Sequence, residues 1–160
     1  MTRGKMAISK FPITLKDAAM VELVGNTDHE ILSIWAIDCA MRVLPYFEES
    51  YPEDHRSRNA LATLQTWIYI GVFRMTIIRK ASLDSHAAAR EVGEDNAARS
   101  VARACGQAVA TAHVPIHSIG AAVYAQQAIH RDVNSSDADA AVAQERDWQY
   151  QHLLNLGKSL

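Results

Sequence analysis

Apolar residues recur at intervals of three and four along most of this chain, the periodicity of helices that bury one face. The segment from Asp28 to Tyr51, DHEILSIWAIDCAMRVLPYFEESY, adds a second pattern. At about 100° per residue, the polar residues near its start share one face, and Asp38 and Arg42 lie roughly opposite. We expect this helix to pack among others, with one face in water and an internal or interfacial ion pair on the other.

Capping and breaking residues divide the chain into elements. Thr14 and either Thr27 or Asp28 suit the first two helix starts, Pro45 should stop or kink the second helix, and Asp95 should cap the fifth. The predicted helices cover about residues 14–24, 27–44, 52–70, 75–92, 95–112 and 116–131, and the last follows the SSDAD run at 135–139. Gly71 and Gly93 mark two of the ends. Apolar β-branched and aromatic residues are dense from Ile68 to Ile78, where they also suit a strand.

These signals predict an all-α fold: a single-domain bundle of six or seven closely packed helices with no β-sheet, over residues 13–160, after a flexible N-terminal arm of residues 1–12. Abundant alanine with scarce glycine and proline indicates helices in contact through small side chains. The residues expected in the core are Trp35, Leu64, Trp67, Ile68, Val101, Val109, Ile119 and Leu153.

Charge and hydropathy exclude two classes of partner. A formal net charge of −2 provides no basic surface for nucleic acid, and no apolar run is long enough to span a membrane. The N-terminus has no apolar signal region, and the two cysteines, Cys39 and Cys105, indicate a reducing compartment, so we expect a cytoplasmic protein. The acidic excess in the second half of the chain favours a basic protein partner. A homodimer, and a disulfide between the cysteines, are left open.

The histidines raise a metal hypothesis. His113 and His117 are four residues apart, which on one helix would put both on one face, but Pro115 breaks that helix. No CxxC, HExxH or dense carboxylate cluster completes a site. We therefore expect no cofactor, and interpret the histidines as lining contacts between alanine-rich helices and bonding to backbone carbonyls.

Asp38 and Arg42 could be a catalytic carboxylate and its anion-binding partner, but an Asp/Arg pair four residues apart is more typical of a salt bridge. We expect Asp38 to be largely buried and to accept hydrogen bonds from Arg42, Arg56 or Arg58. Its replacement by alanine would then cost a few kcal/mol. A Cys39 nucleophile lacks the sharp turn that such a residue needs.

An acidic turn with aromatic residues is the candidate partner-binding surface: Tyr46, Phe47, Glu48, Glu49, Tyr51, Glu53 and Asp54. Aromatic anchors and carboxylates together would dock against a basic protein. Helix capping and solvation account for Pro52, Glu53 and Asp54 without any partner.

Four stretches carry a family resemblance: DHEILSIWAIDCAMRVLPYFEESYPEDHRSR, SHAAAREVG, ATAHVPIHSIGAAVYAQQAI and AQERDWQYQHL. Together they resemble a bacterial family of immunity proteins that is associated with polymorphic toxin systems. The resemblance implies a protein that binds and neutralises a toxin. In that family a histidine often stands where Gln107 stands here, so a metal site formed with His86, His113 and His117 would have lost a ligand.

Two hypotheses follow. The first is a non-enzymatic immunity-type protein that binds its partner through the acidic turn and neighbouring helix faces. The second is an enzyme, or a small-molecule or metal-binding helical protein, with a polar pocket formed by Asp38, Arg42, His86, His113 and His117. Convergence of those side chains on one cavity would favour the second hypothesis.

Overall fold

The computed structural model describes residues 17–133 and 136–158, which form seven helices and no strand. The helices are α1 (Ala18–Gly25), α2 (His29–Glu48), α3 (Arg56–Ile70), α4 (Met75–Glu91), α5 (Ala97–Ala110), α6 (His117–Asp132) and α7 (Ala138–Lys158). The predicted all-α bundle is confirmed. The predicted arm, residues 1–12, and the predicted cap Thr14 lie outside the described residues.

Helix α5 occupies the centre of the bundle and packs against α2, α3, α4 and α6. Its buried residues are all small or medium in size: Ala98, Ser100, Val101, Ala102, Ala104, Cys105, Gly106, Ala108 and Val109. Small side chains at a contact let two helix axes approach closely. The small residues of α5 therefore allow this central helix to pack closely against four neighbouring helices.

Two left-handed glycines end helices where the sequence predicted. Gly71 (φ 72°) follows α3, and its N–H bonds to the carbonyl of Trp67 at 2.8 Å. Gly93 (φ 82°) lies two residues after α4. Only glycine adopts this backbone region without steric cost. Asn96, rather than the predicted Asp95, caps α5: its side chain accepts the N–H of Arg99 at 3.0 Å.

Two other predicted helix ends are wrong. Helix α2 continues through Pro45 to Glu48. A proline inside a helix removes its own bond to residue i−4, here Met41, and both residues are exposed, so the loss falls on the solvent side. Helix α3 begins at Arg56 instead of in the Tyr51–Asp54 turn, and the Asp54 carboxylate accepts the backbone N–H of Arg56 at 3.1 Å.

Five of the eight predicted core residues are buried: Trp35, Leu64, Val101, Val109 and Leu153. The other three, Trp67, Ile68 and Ile119, are partly buried and pack against the core from its margin. Periodicity identified the core-facing side of the five helices that carry these residues, and it overestimated the burial of Trp67, Ile68 and Ile119.

Gln149 connects three helices inside the bundle. Its carbonyl accepts the indole N–H of Trp35 at 2.9 Å, its side-chain oxygen accepts from Gln126 at 2.8 Å, and its amide nitrogen donates to the carbonyl of Ala122 at 3.0 Å. A fully buried amide must find such partners, because each missing hydrogen bond costs about 1–3 kcal/mol. Gln149 therefore fixes how α7 lies on α2 and α6.

The predicted Asp38–Arg42 pair is wrong, because both residues turn to α7. The Arg42 guanidinium donates to both oxygens of Glu145, at 2.7 and 3.0 Å, and lies 3.8 Å above the ring of Trp148. His152 also stacks on Trp148 and bonds through Nε2 to Asp38 Oδ2 at 2.7 Å. The buried carboxylate is Glu145, at 5% exposure, whereas the Asp38 side chain is 38% exposed.

Arg42→Met should therefore lower the free energy of unfolding by about 2 kcal/mol, because it leaves the Glu145 carboxylate buried without its cation. The value is below that of fully buried pairs because Arg42 is 41% exposed. Urea denaturation measures the change. Lys80→Met, which breaks the exposed pair with Asp84, is the control and should cost less than about 0.5 kcal/mol. An Asp38→Ala variant less stable than Arg42→Met would contradict this assignment.

Candidate interaction surface

The structure divides the predicted polar pocket into separate groups. Asp38 and Arg42 bond to side chains of α7. His86 on α4 bonds to α5, and His117 on α6 bonds to Gln107 of α5. The five residues are therefore not brought together: Asp38 and Arg42 bond to α7, whereas, in addition to burial, His117 is close enough to lower the pKa of His86, and His113 that of His117.

His86 is held as a neutral imidazole between α4 and α5. Arg103 donates to its Nδ1 at 2.8 Å, and its ring lies against Gly106, where a Cβ atom would come within 2.6 Å of Nε2. Burial lowers the pKa of His86 to about 4, and the positive charges of Arg103, Arg90 and His117 add to that shift. A bound proton would place an imidazolium against a guanidinium, so His86 acts as a hydrogen-bond acceptor.

The other two histidines of the predicted pocket have different surroundings. His117 donates through Nδ1 to the side-chain oxygen of Gln107 at 2.9 Å, and burial lowers its pKa. His113 is exposed and stacks on Phe73, with ring centroids 5.8 Å apart. Among residues 17–133 and 136–158, no three His, Cys, Asp or Glu side chains are grouped to hold a metal ion.

The interpretation of histidines that bond to backbone carbonyls holds for His29. Its Nε2 donates to the carbonyl of Thr111 at 2.5 Å, and its ring packs on Trp67.

Both cysteines are free and buried. Burial raises the pKa of the Cys39 and Cys105 thiols, and at Cys39 the charges of Glu145 and Asp38 add to the rise. Neither thiol is therefore activated as a nucleophile.

Only some of the carboxylates of the acidic turn are available to bind a partner. Arg58 donates to both oxygens of Glu48, at 2.7 and 2.6 Å, and Arg56 donates to Asp54 at 2.9 and 2.7 Å. These hydrogen bonds lower the pKa of both carboxyl groups. Arg56 also pairs with Glu91, on α4.

The remaining residues of the turn are divided between core and surface. Phe47 is buried in the core, and Tyr51 packs on its ring at 5.2 Å between centroids. Tyr46 is partly buried against the same core. Glu49 and Glu53 are exposed, and none of the described ion pairs includes them. The predicted surface is thus reduced to two carboxylates and the edges of two tyrosines.

A different part of the surface is strongly apolar. Residues 69–77, the apolar segment, are all exposed, and they contain six of the ten large hydrophobic residues exposed in the described chain: Tyr69, Ile70, Val72, Phe73, Met75 and Ile77. Tyr69 is 83% exposed. Large hydrophobic residues exposed singly are common, whereas a concentration of them marks an interaction site. The apolar density at Ile68–Ile78 is the sequence signal for this surface, but the sequence raises there only the choice between a helix and a strand.

A groove runs beside this segment. Its cavity, of about 300 Å³, is lined by one face of α4, by the last residue of α5 and by one residue of the loop that follows α5: Met75, Ile78, Arg79, Ser82, Leu83, Ala110 and His113. We call it the α4 groove. The stacking of Phe73 on His113 joins the apolar segment to the far wall of the groove.

A protein-family comparison identifies the group to which the chain is related. A family model described as "Imm-5 like putative immunity protein" matches residues 22–156. The chain belongs to this family. The match confirms the resemblance found in the four sequence stretches. It spans α2 to α6, the second half of α1 and most of α7, so both the acidic turn and the apolar segment lie within the matched region. No curated protein and no solved structure matched the chain.

The length and hydropathy of the described helices bear on membrane insertion. None of the seven is both long enough and apolar enough to cross a bilayer. The apolar segment is not such a span, because it is divided between the end of α3, a loop and the first turn of α4.

The environment of His86 predicts a loss of stability in acid. The unfolded chain should bind the proton near the ordinary histidine pKa of about 6.5, and the folded chain only near 4, so the stabilisation is complete above about pH 6.5 and is lost as the pH falls toward 4. Between pH 7 and pH 5, urea denaturation should show that the wild type loses about 1–2 kcal/mol more than His86→Asn, which keeps an acceptor for Arg103 but does not titrate. Equal losses in both proteins would contradict this role.

Proposed function

We propose that this chain acts by stoichiometric binding to a protein toxin, which it neutralises, and that it has no turnover of its own. The family supports the immunity-type function. The observation that carries the mode of action is the apolar segment, because nine consecutive exposed residues with six large hydrophobic side chains suit a protein interface.

The residue types of the segment also match those that dominate binding energy between proteins. Tyr69, Phe73 and Met75 belong to the classes enriched at interface centres, and Arg74 lies between them. Aromatic side chains bury a large area for few rotatable bonds, so their exposure before binding favours a tight complex. We therefore assign the apolar segment and the α4 groove as the main contact surface.

The acidic turn stays a second prediction for the same function. Glu49 and Glu53 would contact a basic partner surface, and that contact would speed association and weaken with salt. The internal pairs of Glu48 and Asp54 argue against a larger role, because a partner would have to replace two bidentate arginines. A cytoplasmic location likewise stays a prediction.

Co-expression with the product of the neighbouring gene, followed by pull-down, tests the proposal. Tyr69→Ser combined with Val72→Asp should weaken binding at least 100-fold, because both side chains are exposed and would leave an apolar contact unmade. The melting temperature should stay within a few degrees of the wild type. The matched double variant, Glu49→Lys with Glu53→Lys, should keep most of the affinity.

Each result has a defined meaning. Loss of binding in the glutamate variant alone would move the contact surface to the acidic turn. Turnover of a substrate by the purified chain would contradict a stoichiometric function. Self-association that disappears in the Tyr69, Val72 variant, with no complex formed with the neighbouring product, would make the apolar segment a homodimer interface and would overturn the proposal.

A further inference from the structure

The α4 groove runs along one face of helix α4. Five of its lining residues, Met75, Ile78, Arg79, Ser82 and Leu83, occupy one face of α4 at helical spacing. From Met75 to Leu83 the groove extends for about 12 Å, at about 1.5 Å per residue. Ala110 and His113 form the opposite wall. A depression of this length between helices matches about two turns of a docked amphipathic helix.

The charges around the groove are positive. No carboxylate among the described residues forms an ion pair with Arg74 or Arg79, and both side chains are exposed. Asp84 is the only acidic residue between positions 69 and 90, and it pairs with Lys80. A partner that reaches the groove therefore meets two unpaired guanidinium groups beside an apolar floor.

The start of α4 adds to this positive field. Arg74 occupies its N-cap position without a side-chain capping hydrogen bond, and the first turn contains no acidic residue. The amino end of a helix carries about half a positive charge, which a carboxylate normally compensates. At α4 no side chain of the cap or the first turn supplies that carboxylate, so the positive end of the helix faces the solvent beside the groove.

From these observations we propose that the α4 groove receives an acidic amphipathic helix of the partner protein, with bulky apolar side chains in the groove and carboxylates against Arg74 and Arg79. The inference rests on the proposed function and specifies the chemistry of its partner. It also reverses, at this surface, the basic partner that the acidic turn suggested.

Charge argues against two other occupants. Residues 1–16 contain four basic residues and no Asp or Glu, so they do not complement the groove. A second copy docked through the same face would bring Arg74 and Arg79 of both copies together, because a twofold interface places each surface against itself. Like charges at such an interface oppose association.

Two synthetic helical peptides of about fourteen residues test the chemistry directly. Both carry leucine and phenylalanine at positions i, i+3, i+4 and i+7; one has glutamate and the other lysine at the flanking positions. The glutamate peptide should bind at least tenfold more tightly at physiological salt, and its affinity should fall as salt is raised. Amide shifts in the NMR spectrum should be largest at Met75, Ser82, Leu83, Ala110 and His113.

A matched pair of variants distinguishes binding in the groove from a general effect of the net charge. Arg79→Glu should weaken the glutamate peptide at least tenfold, whereas Lys80→Glu, the same change at a neighbouring residue that does not line the groove, should change its affinity less than twofold. Equal effects of the two variants, a lysine peptide that binds as tightly, or no binding of the glutamate peptide at 1 mM would each overturn the inference.

The same variants distinguish this inference from the proposed function. If the neighbouring gene product binds the wild type and Arg79→Glu equally, but not the Tyr69, Val72 variant, the function stands and the acidic helix is wrong. If the glutamate peptide binds as expected and the gene product does not bind at all, the chemistry of the groove stands and the toxin assignment is wrong.

Discussion

The small side chains of α5 are the constraint on which the rest of this bundle depends. Four helices contact α5, and none of its buried side chains is larger than valine. Gly106 shows how narrow the tolerance is, because even a Cβ atom there would meet the ring of His86. That ring belongs to α4, so the packing of α5 also sets where α4 lies and, with it, the position of the α4 groove.

Buried polar contacts fix the position of α7. Helix α7 packs on α2 and α6 through the buried amide of Gln149 and the bidentate pair of Arg42 with Glu145. In the Arg42–Glu145 pair the carboxylate is neutralised by an arginine of the same chain. Two carboxylates of the acidic turn, Asp54 and Glu48, are neutralised in the same way by Arg56 and Arg58. A carboxylate that is already paired gains little from a partner, because its existing hydrogen bonds must first be broken. The exposed side chains of the apolar segment have no ion pair to break, which is why we propose them as the main contact surface.

The connection between α3 and α4 produces that surface. Gly71 ends α3 in a left-handed conformation, and α4 begins four residues later at Met75, so the apolar side chains between them face outward. In water this exposure is unfavourable by about 25 cal/mol for each Å² of apolar area. Under the proposed function, this free energy is recovered when the toxin covers the segment.

The sequence by itself determined the helices, the ends at Gly71 and Gly93, the small-residue packing and most of the large core residues, because these depend on local backbone preference and on periodicity. It did not determine which charges meet. Asp38 and Arg42 are four residues apart, yet each bonds to α7, over 100 positions away, and the turn carboxylates are paired by arginines that were expected to reach Asp38. Nor did it separate a buried from an exposed apolar run at residues 69–77, since both have the same composition. Burial and ion pairing are set by the tertiary structure, because they depend on which other element packs against a surface. The local sequence does not specify that neighbour.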